Sequence, residues 1–386
     1  MSALDDMTLR RNPTLSFGQK LWHLNWGLVV LAAMITGVGI AMLYSAANGA
    51  FAPWASRQAL RFSAGLVLML GIALIDVRYW FRAAYLAYAV AFLMLAGVEV
   101  MGTIGMGARR WVDLGVLQLQ PSELMKIALV LALARYFHTV SLEDVRRPFY
   151  LLPPLALVLA PAGLVLRQPD LGTAMMLVMV GGIVFFMAGV RLWKFAVVIL
   201  ATGGAVPIAW NFLHDYQKNR ILTFLNPEND PLGAGYHILQ SKIALGSGGL
   251  FGKGFLQGTQ SHLNFLPEKQ TDFIFTMLAE EFGMAGGLLL LGLYLLLFVY
   301  GYAIAFRSRN HFGRLLALGL TANLFLYVFI NIAMVMGLVP VVGVPLPLIS
   351  YGGSVMMTAM VSLGLMSSVS IHRDVRMPRR GPREDL

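Results

Sequence analysis

Cysteine is absent from the 386 residues. That excludes disulfide staples, thiolate nucleophiles and cysteine metal sites. Charge is scarce as well: Asp, Glu, Lys and Arg together make 12% of the chain, against roughly a quarter in soluble domains. The seven histidines are scattered, and no HExxH, cysteine pair or GxSxG occurs, so metalloprotease and serine-hydrolase chemistry has no support. What the chain has instead is apolar length. It is 58% hydrophobic, with a mean hydropathy of +0.71, and its apolar runs reach the roughly 20 residues that a helix needs to cross a bilayer. The expected fold class is an all-α polytopic integral membrane protein.

Ten spans follow from those runs, near Trp22–Ser45, Leu60–Ile75, Ala84–Gly102, Ser122–Phe137, Tyr150–Leu166, Leu171–Gly189, Phe195–Leu213, Phe273–Phe306, Leu315–Gly337 and Tyr351–Ile371. The chain thus divides into an N-terminal tail (1–21), a helical domain (22–371) holding a long loop (214–271) between the seventh and eighth spans, and a basic C-terminal tail (372–386). The uncharged run from Leu21 is too long for a signal-peptide core and reads as an uncleaved first span. Of the arginines and lysines outside the long loop, only Arg57, Arg61, Arg109, Arg110 and Arg167 lie in the connections on the side away from the N-terminus. The positive-inside rule then puts both termini in the cytoplasm and the long loop outside. The net charge of +10 is accounted for by topology and anionic lipid, with no nucleic-acid footprint required.

Outer-facing features recur near span ends. The stretch Ser261–Gly283, SHLNFLPEKQTDFIFTMLAEEFG, places Glu268, Lys269, Asp272, Glu280 and Glu281 where a polar loop enters an apolar helix. An acid at such an entry is costly to desolvate and suggests chemistry or transport by default. In Gly107–Lys126, Pro121 suits a first helical turn, and Glu123 and Lys126, three apart, share a face and pair. Lys126 must face the bundle interior or a hydrated cavity, and a structural ion pair accounts for it as well as a ligand does. The guanidinium forks of Arg109 and Arg110 suit phosphate oxygens, although headgroup contact alone also explains an arginine pair, and Trp111 reads as an interface anchor. Asp170, in RQPD, suits the cap of the helix starting at Leu171. Gly337–Gly353, with Pro340, Pro345 and Pro347 and no charge, reads as a stiff reentrant or lid-like loop that shapes a cavity or lipid groove. In the long loop, Asn226–Gly235 reads as turns and Tyr236–Leu245 as a helix on the membrane surface. Gly246–Gly254, GSGGLFGKG, fails as a phosphate loop, because Ser247 replaces a glycine and Gly254 the magnesium-binding Ser or Thr; it reads as a flexible hinge.

In chain order, GARRWVDLG with QPSELMK, RQPDLGTA, LNPENDPLGAGYHILQSKIALGSGG, LPEKQTDFIFTMLAEEFG and PLPLISYGGS resemble the motifs of the SEDS family (shape, elongation, division and sporulation), in its RodA branch rather than its FtsW branch. The resemblance implies a SEDS-type fold and a peptidoglycan glycosyltransferase of the bacterial inner membrane, active on the periplasmic side. It implies lipid II as substrate, a class B penicillin-binding protein and elongation-complex membrane proteins as partners, and Asp272 as the essential acid. The chemistry agrees. A sugar 4-hydroxyl displaces an α-linked diphosphate with inversion, which needs one base for the hydroxyl proton and cations for the leaving group. Asp272 is then the base, with Arg109, Arg110, Lys126 and Lys269 the candidate diphosphate ligands and Glu123, Trp111, Asp170, Glu280 and Glu281 in support. No cofactor is required by the sequence, although an Asp and a diphosphate together suit Mg2+ or Mn2+. A lipid II flippase and a non-catalytic scaffold of the wall-synthesis complex are the alternatives.

Overall fold

A computed structural model describes residues 16–375 and 377, apart from 102, 106–107, 114–117, 213–214, 227–233, 264 and 266–267. The turns expected within Asn226–Gly235 and most of both tails lie outside the described residues.

Helices occupy all ten expected spans: α2 (Trp26–Ala46), α3 (Trp54–Leu74), α4 (Val77–Met101), α5 (Pro121–Thr139), α7 (Leu152–Arg167), α8 (Leu171–Met187), α9 (Leu192–Phe212), α13 (Ile274–Arg307), α14 (His311–Val335) and α15 (Gly353–Ile371). Seven of them are long and apolar enough to cross a membrane, and α8 and α9 are shorter apolar helices. The tenth, α5, carries Glu123, Lys126 and Arg135. Short helices α1 (Phe17–Trp22) and α6 (Leu142–Val145) precede α2 and follow α5. The second span begins at Trp54, before its expected start at Leu60, because Arg57 interrupts the hydropathy of α3 without interrupting its backbone.

Helices α5, α14 and α15 form the buried centre, while α3, α4 and α7 keep broad apolar faces outward for lipid. α15 runs along α3, α4 along α5, and α13 along α14 and α2. With no water to expel, helices in lipid associate by close approach at small residues. Gly364 of α15 is one, packed against the Met69 carbonyl and the Ile72 side chain of α3.

Three features depart from expectation. First, the segment after α4 is not an open loop. Strands β1 (Thr103–Gly105), β2 (Ala108–Asp113) and β3 (Gln118–Leu119) form an antiparallel sheet, pairing Ile104 with Arg109 and Val112 with Leu119, so the fold is helical with one small sheet. Second, the long loop is largely helical, with α10 (Asp215–Leu225), α11 (Ala234–Ser247) and α12 (Thr259–His262). α11 covers the expected Tyr236–Leu245, but it packs on α13 and α14 instead of lying free on the membrane surface. Ser241 Oγ donates to the Val335 carbonyl at 2.8 Å and shares a 2.9 Å hydrogen bond with Thr276.

Third, the glycine-rich stretch is a wedge, not a free hinge. α13 breaks at Gly283, whose φ of 65° and ψ of −162° are non-helical. A break in a membrane helix must satisfy its freed backbone groups inside protein. The wedge does so: the Lys253 and Gly254 amides donate to the Glu280 and Glu281 carbonyls at 3.0 Å each, and the Met284 and Ala285 amides donate to Gly249 and Leu250 at 2.9 and 3.0 Å. Gly252, with φ +83°, touches the Glu281 carbonyl so closely that no Cβ fits. Gly252→Ala is therefore expected to lower stability by about 2–4 kcal/mol through backbone strain and overpacking, read as a drop in melting temperature of the purified chain. An unchanged melt would restore the hinge reading.

Candidate active site

The turn Glu268–Phe273 leads into α13 and is fixed from two sides. Within it, Glu268 adopts a positive φ of 50° and its carbonyl accepts from the Thr271 amide at 3.0 Å. Thr271 Oγ1 donates to the Glu268 carboxylate at 3.2 Å. From outside, three consecutive carbonyls each accept a bond from another element. Tyr351 N–H donates to Gln270 O at 2.8 Å, Ser350 Oγ to Thr271 O at 2.6 Å, and Asn331 Nδ2 to Asp272 O at 2.9 Å. Asn331 also donates to Val344 O at 2.7 Å, which ties α14 to the proline-rich loop. That loop braces the turn, a role beyond the cavity-shaping one expected of it.

Asp272 is thus positioned by its backbone, leaving its half-buried carboxyl available. Among the described residues the carboxyl accepts no hydrogen bond, and it lies beside Gly343, whose φ of +69° and missing Cβ leave the space. Burial, and then the negative charge of Glu268, push its pKa up to about 6. Lys269, in the same turn, is buried, and burial holds its pKa below the usual lysine range.

Arg61 reaches this region from α3 and was read from sequence only as a topology charge. Its guanidinium stacks 4.4 Å over the Tyr351 ring, next to Gly353 at the start of α15. Its Nη1 is buried with no hydrogen-bond partner among the described residues. The N-terminus of α15, where no side chain caps the helix, adds a partial positive charge beside it. An arginine at the very start of an apolar run was the available signal, and nothing in the spacing pointed to Tyr351.

One helical turn deeper lies a closed polar cluster. Lys126 Nζ donates to Glu123 Oε1 at 2.7 Å, and the Tyr327 hydroxyl bonds to both Lys126 and Glu123. All three are buried. Tyr327 and Asn331 are four apart on α14 and share a face, so the helix that grips Asp272's carbonyl also carries the tyrosine of this triad. On α15, Thr358 approaches Glu123 at 3.5 Å, and Ser354, one turn earlier, bonds to Gln120 and Gln118 at the base of the sheet.

The remaining expected residues fall into separate groups. Arg110 donates to the carbonyls of Gln168 and Pro169 at 3.1 and 2.7 Å and approaches Asp170 at 3.8 Å. Asp170 caps α8, accepting from the Thr173 amide and hydroxyl at 3.1 and 2.9 Å. These contacts tether the sheet to the α7–α8 turn. Trp111 is half-buried beside them in β2, and the Arg109 side chain lies outside the described residues. Glu280 and Glu281 stand at the break of α13. Glu280 accepts from Lys253, Thr259 and the Gln260 amide at 2.8, 3.1 and 3.0 Å, and Glu281 accepts from Ser45 and faces His262 at 3.4 Å. Both carboxylates hold the wedge in place. Among the described residues no three His, Cys, Asp or Glu side chains cluster as a metal site.

Fold and site define a polytopic helical membrane protein with an acid held rigidly at one end of its bundle. The chain belongs to the FtsW/RodA/SpoVE family, described as cell cycle proteins, whose pattern matches residues 21–375. It is 46% identical to the peptidoglycan glycosyltransferase MrdB of Escherichia coli, over 90% of this chain and 93% of that one. It is 32% identical to the peptidoglycan glycosyltransferase RodA of Treponema pallidum, over 89% and 96% of the two chains. Among solved structures it is similar to a chain of a peptidoglycan synthase complex that coordinates polymerization and crosslinking, with TM-score 0.81, 35% identity and coverage of 91% and 98%. It is also similar to the rod shape determining protein RodA of Thermus thermophilus, with TM-score 0.68, 32% identity and coverage of 92% and 98%.

Proposed function

We propose that this chain is a peptidoglycan glycosyltransferase that joins lipid II units into β-1,4 glycan strands during cell elongation, with Asp272 as general base. The observation that carries the base assignment is the Asp272 carboxyl itself: fixed through its backbone, free of hydrogen bonds among the described residues, and raised to a pKa of about 6. A base of that pKa is mostly ionised at neutral pH yet still takes a proton as the bond forms. Asp272 accepts the proton of the acceptor sugar's 4-hydroxyl as its oxygen attacks C1 of the donor. The undecaprenyl diphosphate leaves from the opposite face, and the anomeric configuration inverts.

Stabilising the leaving diphosphate falls to cations near the Asp272 turn. Arg61, with the α15 N-terminus, is the best placed among the described residues. Lys269 sits in the Asp272 turn and is kept in that role, as is Arg109 on the neighbouring sheet. Lys126 and Arg110 are held by Glu123 with Tyr327 and by the α7–α8 turn, and we assign them to positioning. A divalent cation fits Asp272 and Glu268 together with diphosphate oxygens, and would add Lewis-acid stabilisation of the leaving group. The arginine asymmetry supports an orientation with the Asp272 end at the periplasmic face of the inner membrane, where a class B penicillin-binding protein would cross-link the product.

Three results test this reading. Detergent-solubilised chain, purified with such a partner and given lipid II, is expected to release glycan strands; unreacted lipid II would favour the transporter or scaffold reading, since detergent leaves no membrane to cross. Arg61→Ala is expected to lower kcat/KM by about 10²–10³-fold, and Arg61→Lys to recover little, because a point charge replaces a bidentate fork. The pH profile of kcat/KM is expected to fall on the acid side near pH 6. Glu268→Gln removes the charge that raises Asp272, so that limb moves to lower pH; an unmoved limb would detach it from Asp272.

A further inference from the structure

At the end of the bundle opposite Asp272, a cavity of about 310 Å³ opens between the ends of α2, α13 and α15. Arg307 is the last residue of the 34-residue α13, so the cavity is roughly 50 Å along the helix from the active site. Five polar side chains line it: Asn25, Tyr300, Arg307, Ser370 and Arg373. Asn25 stands at the N-cap of α2 but makes no capping bond, so its amide is not spent on the helix. Arg307 has no ion pair among the described residues. Arg373 approaches Asp374 at 3.6 Å, but Asp374 is two-thirds exposed and also pairs with Arg309 at 3.2 Å; exposed pairs of this kind exchange readily. Gly27 lacks the Cβ that would collide with the Tyr300 ring, which lets the hydroxyl reach the start of α2.

The other wall is apolar, made by Val299, Ala303 and Ile304 on α13. Trp22 and Trp26, 86% and 52% exposed, flank the start of α2 at the depth where tryptophans mark the headgroup layer. Two guanidinium groups, an amide and two hydroxyls meeting an apolar wall at that depth match one chemistry, a phosphate diester carrying acyl chains.

We propose that this cavity binds the phosphate of an anionic phospholipid, with Arg307 and Arg373 as its charge-assisted donors and Val299 and Ile304 against the first acyl carbons. The lipid belongs to the cytoplasmic leaflet in the orientation proposed above, and only the choice of leaflet rests on that orientation. The site is a specific seat, distinct from the general attraction of basic loops to anionic membranes.

Native mass spectrometry of the full chain, released from nanodiscs of mixed phosphatidylglycerol and phosphatidylcholine with identical acyl chains, tests the proposal. Wild type is expected to retain phosphatidylglycerol preferentially. Arg307→Ala with Arg373→Ala is expected to lower that retention about tenfold, while Arg309→Ala with Arg314→Ala, which removes an equal charge outside the cavity, changes it less than about twofold. Tyr300→Phe, a single-atom change, is expected to weaken retention about threefold and carries the test if the double variant melts early. Equal losses in the cavity double variant and in Arg309→Ala with Arg314→Ala, or no preference for phosphatidylglycerol, would overturn the seat. Inorganic phosphate at millimolar concentration is expected not to displace the lipid; full displacement would make a soluble phosphate the occupant and overturn the lipid assignment.

Discussion

Asp272→Asn is expected to lower glycan polymerisation by about 10²–10⁴-fold, the range for removing a positioned general base, without unfolding the protein. The amide keeps the volume of the side chain, and the bonds that position residue 272 run through its backbone carbonyl, which the substitution leaves in place. Stability moves the other way from activity. The Asp272 pKa is raised to about 6 in the folded state from a reference of 3.8. A carboxyl with a raised pKa favours the folded state fully below pH 3.8, and that contribution is lost as pH rises through 6. Above that window wild type carries an ionised, half-buried carboxylate that Asn lacks. The variant is thus expected to melt at or above the wild-type temperature at pH 7.5, and the difference is expected to shrink toward pH 4. Inactivity with a lower melt at neutral pH would mean that Asp272 supports the fold more than the chemistry.

Lys126→Met is expected to have the largest effect on stability. Removing one member of a buried ion pair leaves an uncompensated charge, at about 3–5 kcal/mol. Here Glu123 would remain, buried, with only Tyr327 and a distant Thr358 to satisfy it. Removing both charges, as in Glu123→Leu with Lys126→Met, is expected to recover most of that loss, because the double variant buries no charge. Thermal melts of the single and double variants give the comparison. If the double variant is no more stable than the single one, the triad is not a closed electrostatic unit, and Lys126 returns to the list of substrate ligands. Because Tyr327 and Asn331 lie on one face of α14, loss of the triad is also expected to lower kcat by loosening the Asp272 turn, with KM less affected.

How much of this was legible beforehand depended on the distance over which each feature is encoded. The spans were legible because apolar length is a local property, and so were the α8 cap at Asp170 and the stiffness of the loop through Pro340, Pro345 and Pro347. The charged stretch holding Glu268, Asp272, Glu280 and Glu281 stood out because an acid at a membrane edge is costly wherever the chain folds, and the family resemblance singled out Asp272 within it. The sheet was missed because strands of two to six residues carry too few positions to show a period, and Arg109, Arg110 and Trp111 look like any polar loop. The glycine-rich stretch was misread for a tertiary reason. Its glycines provide close approach to the Glu280 and Glu281 backbone, a demand that sequence spacing cannot distinguish from flexibility. Arg61 lies on α3 and Tyr327 and Asn331 on α14, and only packing brings these two spans to the Asp272 turn and the triad below it.

The central claim is that the Asp272 carboxylate takes the proton of the attacking hydroxyl. Single-turnover glycan-bond formation in detergent tests it most directly, with wild type and Asp272→Asn each purified with the same penicillin-binding partner and saturated with lipid II. The account predicts rapid bond formation by wild type and a rate at least about a hundredfold lower in the variant, with lipid II binding retained. Bond formation at the wild-type rate in a correctly folded Asp272→Asn sample would contradict it.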